Sequence, residues 1–284
     1  MIALLDLQPV PETAESPPTS PPAPSQEVVL QELLKTVSAS RLSLWASCRL
    51  KFFFRYVQKI RKPPTPNMHA GTVVHSVLQS WNLARWRNEP FQTERFKALF
   101  LAQWKALQAN LSIDWQGEES DEKCSALFAL ENYFLETPIK ASEKPEAVEV
   151  QVETDLAQHG LPRLIGVIDL VRAGRRIVDF KVVGKTPEPG QLVHTHQTQL
   201  SCYSVLYRDA TGNTEAGLEL HHLVRTKKPK VIVTSLPPMV ESRRTRLFKQ
   251  IDSYQSGLAR QDFVPSPGFQ CAGCENFDSC RTWS

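Results

Sequence analysis

The sequence predicts an α/β protein in which one mixed β-sheet is flanked by helices, with a helical insertion ahead of the sheet and a cysteine-bearing segment behind it. Three observations carry this. Two apolar runs, residues 164–171 and 177–183, are separated by Ala173-Gly174-Arg175, which reads as a hairpin turn. Trp81, Trp86, Phe91, Phe96, Phe100 and Trp104 recur at spacings that suit buried helix faces. From residue 147 onward the order strand, strand, strand, helix, strand suits a mixed sheet with helical cover.

The elements follow along the chain. Residues 1–36 are rich in Pro, Ser, Glu and Thr, and Pro17-Pro18 and Pro21-Pro22-Ala23-Pro24 cannot lie inside a helix or sheet, so a disordered tail is expected there. A folded domain is expected over 37–284. Serine in the stretch Ser38-Ala39-Ser40 suits a helix N-cap. That first helix is expected to end at Pro63, Pro64 and Pro66. Gly71-Thr72-Val73-Val74-His75 then opens an amphipathic stretch through Val77, Leu78, Trp81 and Leu83, which places His75 near a helix start. The helical pattern gives a subdomain over 76–140. Strands are expected at 147–154, 163–172 and 175–183, then a loop at 186–190 and a helix carrying Gln199 and Tyr203. Strands near 217–224 and 230–235 and a long helix at 238–260 lead into the segment 265–284. There is no internal repeat.

Three charged side chains interrupt the apolar hairpin: Asp169, Asp179 and Lys181. Burying charge is costly unless it is paired or binds a metal. Residues two apart on a strand share a face, so Asp179 and Lys181 point together. Pairing about the turn brings Asp169 beside Asp179. Two carboxylates and an amine then converge, a pattern suited to Mg²⁺ or Mn²⁺ with a lysine alongside. Such a cation lowers the pKa of its water and offsets phosphoryl charge, which fits phosphodiester hydrolysis. The bland alternative is a surface hairpin with a solvated Asp–Lys pair. Likewise His75 alone reads as an ordinary core or surface group, and Gln199 and Tyr203, four apart on one helix face, as an ordinary amphipathic helix.

Taken in order, Gly71 to His75, Gly166 to Asp169, Ile177 to Lys181 and Gln199 to Tyr203 resemble the motifs of the PD-(D/E)XK nuclease superfamily, in its RecB-like exonuclease branch. Ser38 to Trp45 is similar to the opening of those domains. The resemblance spans about residue 38 to the C-terminus and implies a restriction-endonuclease-like sheet core. It implies that His75, Asp169 and Asp179 ligate the metal, that Lys181 assists the attacking water, and that Gln199 and Tyr203 orient the DNA or the lysine. A glutamate on the preceding strand is also implied. Glu149 and Glu153 share a strand face there; Glu149 is preferred. An imidazole ligand points to good activity with Mn²⁺.

Of six cysteines, Cys271, Cys274 and Cys280 form C-x₂-C-x₅-C, Cys48 lies far upstream, and Cys124 and Cys202 read as core residues. The triplet suggests a metal site in place of disulfides, and four thiolates suit either zinc or an iron–sulfur cluster. The arrangement resembles the iron–sulfur staple of AddB-type and CRISPR-associated RecB-like exonucleases. It implies a [4Fe–4S] cluster on Cys48, Cys271, Cys274 and Cys280, with zinc as the alternative occupant. Arg49 departs from the proline that often follows the first cysteine. Such a staple joins distant segments cheaply, because loop-closure entropy grows slowly with length.

A formal charge of +3 excludes a polyelectrolyte, but cations cluster locally. Arg49, Lys51, Arg55, Lys59, Arg61 and Lys62 alternate with Phe52, Phe53, Phe54 and Tyr56, which could stack on bases or fill a core. Arg225, Lys227, Lys228 and Lys230 form a second group, and Arg243, Arg244, Arg246 and Lys249 a third. No run is long enough for a membrane helix and the apolar start lacks basic residues, so a cytoplasmic protein is expected. Gly184-Lys185-Thr186 lacks the upstream glycine of a P-loop, so any helicase is a separate partner. The leading function is a DNA exonuclease acting on single strands or duplex ends, in repair, recombination or CRISPR adaptation. The alternatives are a catalytically silent nucleic-acid-binding or assembly subunit with the same fold, and a zinc-stabilised protein with incidental hairpin charges.

Overall fold

The computed structural model describes residues 24–91, 95–109 and 111–283. Helix α1 (Gln26–Lys35) leads through strand β1 (Thr36–Ser38) into α2 (Ala39–Ser47), α3 (Arg49–Phe52) and a π-turn at Phe53–Val57. Three helices follow: α4 (Pro66–Arg87), α5 (Phe96–Gln108) and α6 (Glu119–Glu136). Then come β2 (Ala147–Thr154), β3 (Arg163–Arg172), β4 (Arg176–Val183), α7 (Pro189–Thr211), β5 (Gly217–Val224), β6 (Lys230–Leu236), α8 (Glu241–Ala259) and the short α9 (Phe277–Arg281).

The six strands form one mixed sheet in the order β1-β3-β4-β5-β6, with β2 also on β3. β1–β3 and β4–β5 are parallel, and the other pairings antiparallel. Every residue of β5 is buried, as a strand covered on both faces must be. One face carries Leu164, Ile168, Ile177, Leu218 and Leu220 into a core closed by α1, α2, α7 and α8. The other carries Leu170, Val178, Phe180 and Leu223 into a second core under α4, α5 and α6. A buried polar chain fastens this second layer: Tyr133 to His221 (2.8 Å), His221 to Glu219 (3.0 Å) and Glu219 to Arg172 (2.9 Å).

The mixed sheet with flanking helices is the predicted fold, and several details differ. Residues 1–23 of the expected tail lie outside the described residues. Residues 26–35 are helical, because Ser25 caps the helix and Val29, Leu30 and Leu33 bury against α8 and its neighbours. Ser38 caps α2 as expected, accepting from Arg41 N. Pro66 does not end a helix but begins one: at N1 its missing N–H costs nothing, and Thr65 caps the turn. His75 therefore sits in the third turn of α4. Pro189 likewise starts α7 inside the expected loop. Trp86 is 45% exposed and Cys124 is exposed, so neither is a core residue; Cys202 is. Phe52, Phe53 and Phe54 are buried, so they fill the core and do not stack on bases. Arg225 is no surface cation. It is buried, bonds Glu122 (2.7 Å), Ser125 (2.8 Å) and Asn67 (2.5 Å), and so ties the end of β5 to α6 and α4. Among the described residues no helix is long and apolar enough to cross a membrane.

Candidate functional site

The β3–β4 hairpin opens from its turn like a fork. Gly174 and Arg175 have positive φ (77° and 60°), which closes the turn, and Leu170, Val171 and Arg172 pair with Val178, Ile177 and Arg176. Beyond that point β4 leaves β3 but stays beside β5, with which it pairs along its whole length. The same register places Asp169 opposite Asp179, where the strands part. On the other side of β3, Val148 pairs with Leu170 and Val150 with Ile168, so Glu149 faces Asp169. Directly opposed residues on adjacent strands put their side chains on one face. Glu149, Asp169 and Asp179 thus form a row of three carboxylates across three strands. Glu149 has φ 48°, a left-handed backbone inside a strand, and the Glu149–Asp169 pair is missing from an otherwise continuous ladder. Glu153 pairs with Ile165, is exposed and meets Arg163, so it takes no part.

His75 completes the row from α4. Its Nδ1 lies 3.8 Å from Asp169 Oδ2, and ligand atoms of His75, Glu149 and Asp169 all lie within 4.8 Å of one another. Asp169 Oδ2 also accepts from Phe180 N (3.1 Å). Asp179 is not in that trio. It is 1% exposed, and its Oδ1 accepts from Lys181 Nζ (3.1 Å), Gln199 Nε2 (2.9 Å) and Tyr203 Oη (3.5 Å). Lys181 Nζ also donates to Gln199 Oε1 (2.9 Å), and Gln199 Nε2 to Tyr203 Oη (2.7 Å). Asp179 Oδ2 lies 2.8 Å from Lys181 Nζ but has no hydrogen-bond partner of proper geometry. Gly166 has a steric reason to be glycine, since a Cβ there would meet Leu206 Cδ1 at 2.7 Å and force that buried side chain to shift. Gly71 has room for one.

Burial dominates the electrostatics. It pushes Glu149 up to about 7, with repulsion from Asp169 adding to the effect. Asp179 rises to about 6 through burial, against the pull of Lys181. Asp169 is also raised by burial, opposed by Phe180 N–H and Lys181, while burial lowers His75. Acids that resist ionising, a neutral imidazole and an orphaned buried oxygen fit a hard divalent cation, which would compensate all of them at once. Carboxyls with raised folded pKa values favour the fold when protonated; that contribution is full below their unfolded pKa and lost as pH rises through about 6–7. His196 and His222 are lowered and push the opposite way. The row is therefore isolated by comparison with Glu149→Gln. In chelator, the stability gain of Glu149→Gln over wild type should grow between about pH 5.5 and about pH 8. Calorimetric melting of both proteins at the two pH values measures it.

Cys48, Cys271, Cys274 and Cys280 line one cavity with Leu44, Leu50, Phe54, Pro265 and Pro267, and all are free thiols. Burial and then its proximity to the other three raise the Cys280 thiol. No three of the sulfurs lie within 4.8 Å of one another. Sequence reasoning missed His196 and His222, which stand beside Lys181; the alternation of β5 was the available signal for His222.

A family model described as the PD-(D/E)XK nuclease superfamily matches residues 36–281. A comparison with curated proteins finds no match. Among solved structures, a crystal structure of a protein from Eubacterium rectale, provisionally named an exonuclease, superposes with a TM-score of 0.60 at 13% identity, covering 95% of this chain and 96% of that one. The structure of SSO0001 superposes with a TM-score of 0.42 at 11% identity, covering 90% of this chain and 94% of that one.

Proposed function

The chain belongs to the PD-(D/E)XK nuclease superfamily, and on that premise we propose that it is a metal-dependent deoxyribonuclease of the RecB-like exonuclease branch, cutting DNA in repair, recombination or end processing. The observation that carries this reading is the row Glu149, Asp169, Asp179 at the β3–β4 fork, with His75 on one side and Lys181 on the other. His75, Glu149 and Asp169, with Asp179 beside them, would hold Mg²⁺ or Mn²⁺. When bound, the ion supplies a more acidic water and charge compensation at the phosphoryl oxygens. Lys181 orients the water whose oxygen attacks phosphorus as the P–O bond of the leaving strand breaks. Gln199 and Tyr203 hold Lys181 and Asp179 in place.

A cationic cleft supports a nucleic-acid strand as substrate. Arg55, Arg61 and Lys62 line it with Tyr56, Ile60, Pro63, Pro64, Met68 and one acid, Glu275; that acid pairs with Lys51 (3.6 Å), and among the described residues none of the three lining cations has an ion-pair partner. Met68 begins an open stripe of α4 that continues through Gly71 and Thr72 to His75. Seven residues of helix span about 10 Å, a reach of a few nucleotides along one strand. A separate helicase or adaptation partner would deliver that strand.

For the cysteines we favour a [4Fe–4S] cluster over zinc. Cys48 and the C-x₂-C-x₅-C triplet line one cavity, and four thiolates around one cavity, in the one-plus-three arrangement of the resembling iron–sulfur exonucleases, suit such a cluster. A reducing, cytoplasmic setting suits thiols kept free for such a cluster.

The test is digestion of linear and circular, single- and double-stranded DNA with Mg²⁺ or Mn²⁺. We expect metal-dependent digestion of linear substrates, sparing of covalently closed circles, and turnover with Mn²⁺ at least equal to that with Mg²⁺. Tight DNA binding without turnover under either metal would instead establish the silent-subunit reading.

A further inference from the structure

Two histidines outside the nuclease motifs occupy the ground beside Lys181. In the parallel β4–β5 register Lys181 stands opposite His222. Alternation along β5 gives His222 the face of Leu218 and Leu220, which share a core with Leu200, Tyr203 and Leu206 of α7. His222 is 1% exposed, and neither ring nitrogen has a hydrogen-bond partner. Native interiors rarely leave a buried ring so, and each such group calls for an explanation. The ring that meets it is His196 of α7, at 5.7 Å between centroids and 51° between planes. His196 is only partly buried. It precedes Gln199 by three residues and Tyr203 by seven, so it extends their stripe one turn toward the start of α7.

The chemistry of the pair narrows what it can bind. Burial holds both imidazoles near 4, with Lys181 adding to the effect, so both are neutral at physiological pH. A neutral imidazole offers one N–H donor and one acceptor. A metal ion is a poor occupant: neither ring belongs to the one ligand trio found among the described residues, and the Lys181 charge opposes a cation there. An anionic oxygen suits both the ammonium and an N–H donor. A neutral donor also adds no positive charge to compete with the cation sought by the carboxylate row.

We propose that His196 is a substrate-contacting residue, donating an N–H to a phosphate oxygen of the strand held beside Lys181, and that His222 is the positioning residue that fixes its ring from behind. This rests on the nuclease reading. On it, α7 contributes three successive groups from one stripe: Tyr203 and Gln199 set the lysine and aspartate, and His196 meets the strand. In the structure the two rings meet without a hydrogen bond; a small turn of His196 on meeting the strand would give a His222 nitrogen its partner, and the hydrogen bond made by one ring nitrogen sets which nitrogen carries the proton.

The experiment uses the full chain with His196→Ala, His196→Gln, His222→Leu and His222→Gln. Binding of a single-stranded oligonucleotide is measured in chelator, and kcat and KM with Mn²⁺. His196→Ala should weaken metal-free binding and kcat/KM by about tenfold, the scale of one hydrogen bond to a charged group. His196→Gln retains an N–H and should recover most of that loss. In ¹⁵N spectra of the oligonucleotide-bound protein the wild type should show one His196 tautomer, which His222→Leu should abolish and His222→Gln should restore. If His222→Leu fails to fold, His222→Gln and the wild-type tautomer decide. Wild-type binding and turnover in His196→Ala, or no difference between its Ala and Gln variants, overturns the proposal. Full activity in His196→Ala with none in Asp179→Ala sinks this inference alone; full activity in Asp179→Ala sinks the nuclease reading itself.

Discussion

Asp179→Ala should lower cleavage of linear DNA on the order of a thousandfold or more, the scale of losing several kcal/mol of charge stabilisation at a metal-assisted centre. The same substitution should leave the fold intact. Asp179 is buried with its pKa raised to about 6, so ionising it within the fold is unfavourable. Its removal also relieves repulsion with Asp169, and the three donors it abandons keep other partners: Lys181, 23% exposed in its side chain, still bonds Gln199 Oε1 and can reach water, and Gln199 Nε2 still bonds Tyr203 Oη. Activity and stability should therefore separate. Rates with Mg²⁺ and Mn²⁺, beside melting curves in chelator, measure both. Cleavage within about threefold of wild type would falsify the assignment of the row as the reacting centre. Asp179→Asn is the sharper companion: it preserves the shape and a hydrogen-bond acceptor but not the charge, and it should be equally inactive.

The second large effect is on stability. On the [4Fe–4S] proposal, the wild type should carry iron and sulfide with visible absorption, and Cys271→Ser should lose both and have its unfolding free energy lowered by several kcal/mol, because ligand-binding energy of this kind is folding energy. The loss should be confined at first to the end of the chain. Leu50 N still bonds Val264 O (3.2 Å) and Arg49 still pairs with Asp262, which hold the chain up to residue 264, whereas beyond it the Lys51–Glu275 pair (3.6 Å) and the packing of Phe53 on Trp283 are left to hold the segment without the cluster. Limited proteolysis should accordingly cut first within 265–283, before the sheet. Asp179→Ala should keep its colour. Stoichiometric zinc in the anaerobically purified wild type overturns the cluster.

Much of the site was legible because a tight turn pins register. Three residues, Ala173 to Arg175, join β3 to β4, so Asp169 opposite Asp179 follows from counting outward. The choice between Glu149 and Glu153 did not follow. Residues 155–162 connect β2 to β3 through a 3-10 turn, and a connection of that length leaves a two-residue slip open. Proline was ambiguous in another way: at Pro66 and Pro189 it opens helices, and sequence alone does not say whether a proline stands after one helix or first in the next. Burial decided the basic groups. Arg225 reads as a surface cation until Glu122 and Asn67, over a hundred residues upstream, are brought to it. The aromatics of 52–54 alternate with cations as a base-stacking surface would, and the fold turns them inward.

The backbone at Glu149 has a consequence for stability. A left-handed residue inside a strand suits glycine or asparagine far better than glutamate, and this glutamate also faces another acid across the strands. Sheet and side chain are thus at odds at one position. On the nuclease proposal the position is a weak link kept for its carboxylate: a substitution there that suits the left-handed backbone should make the sheet sturdier and the metal row poorer by one acid.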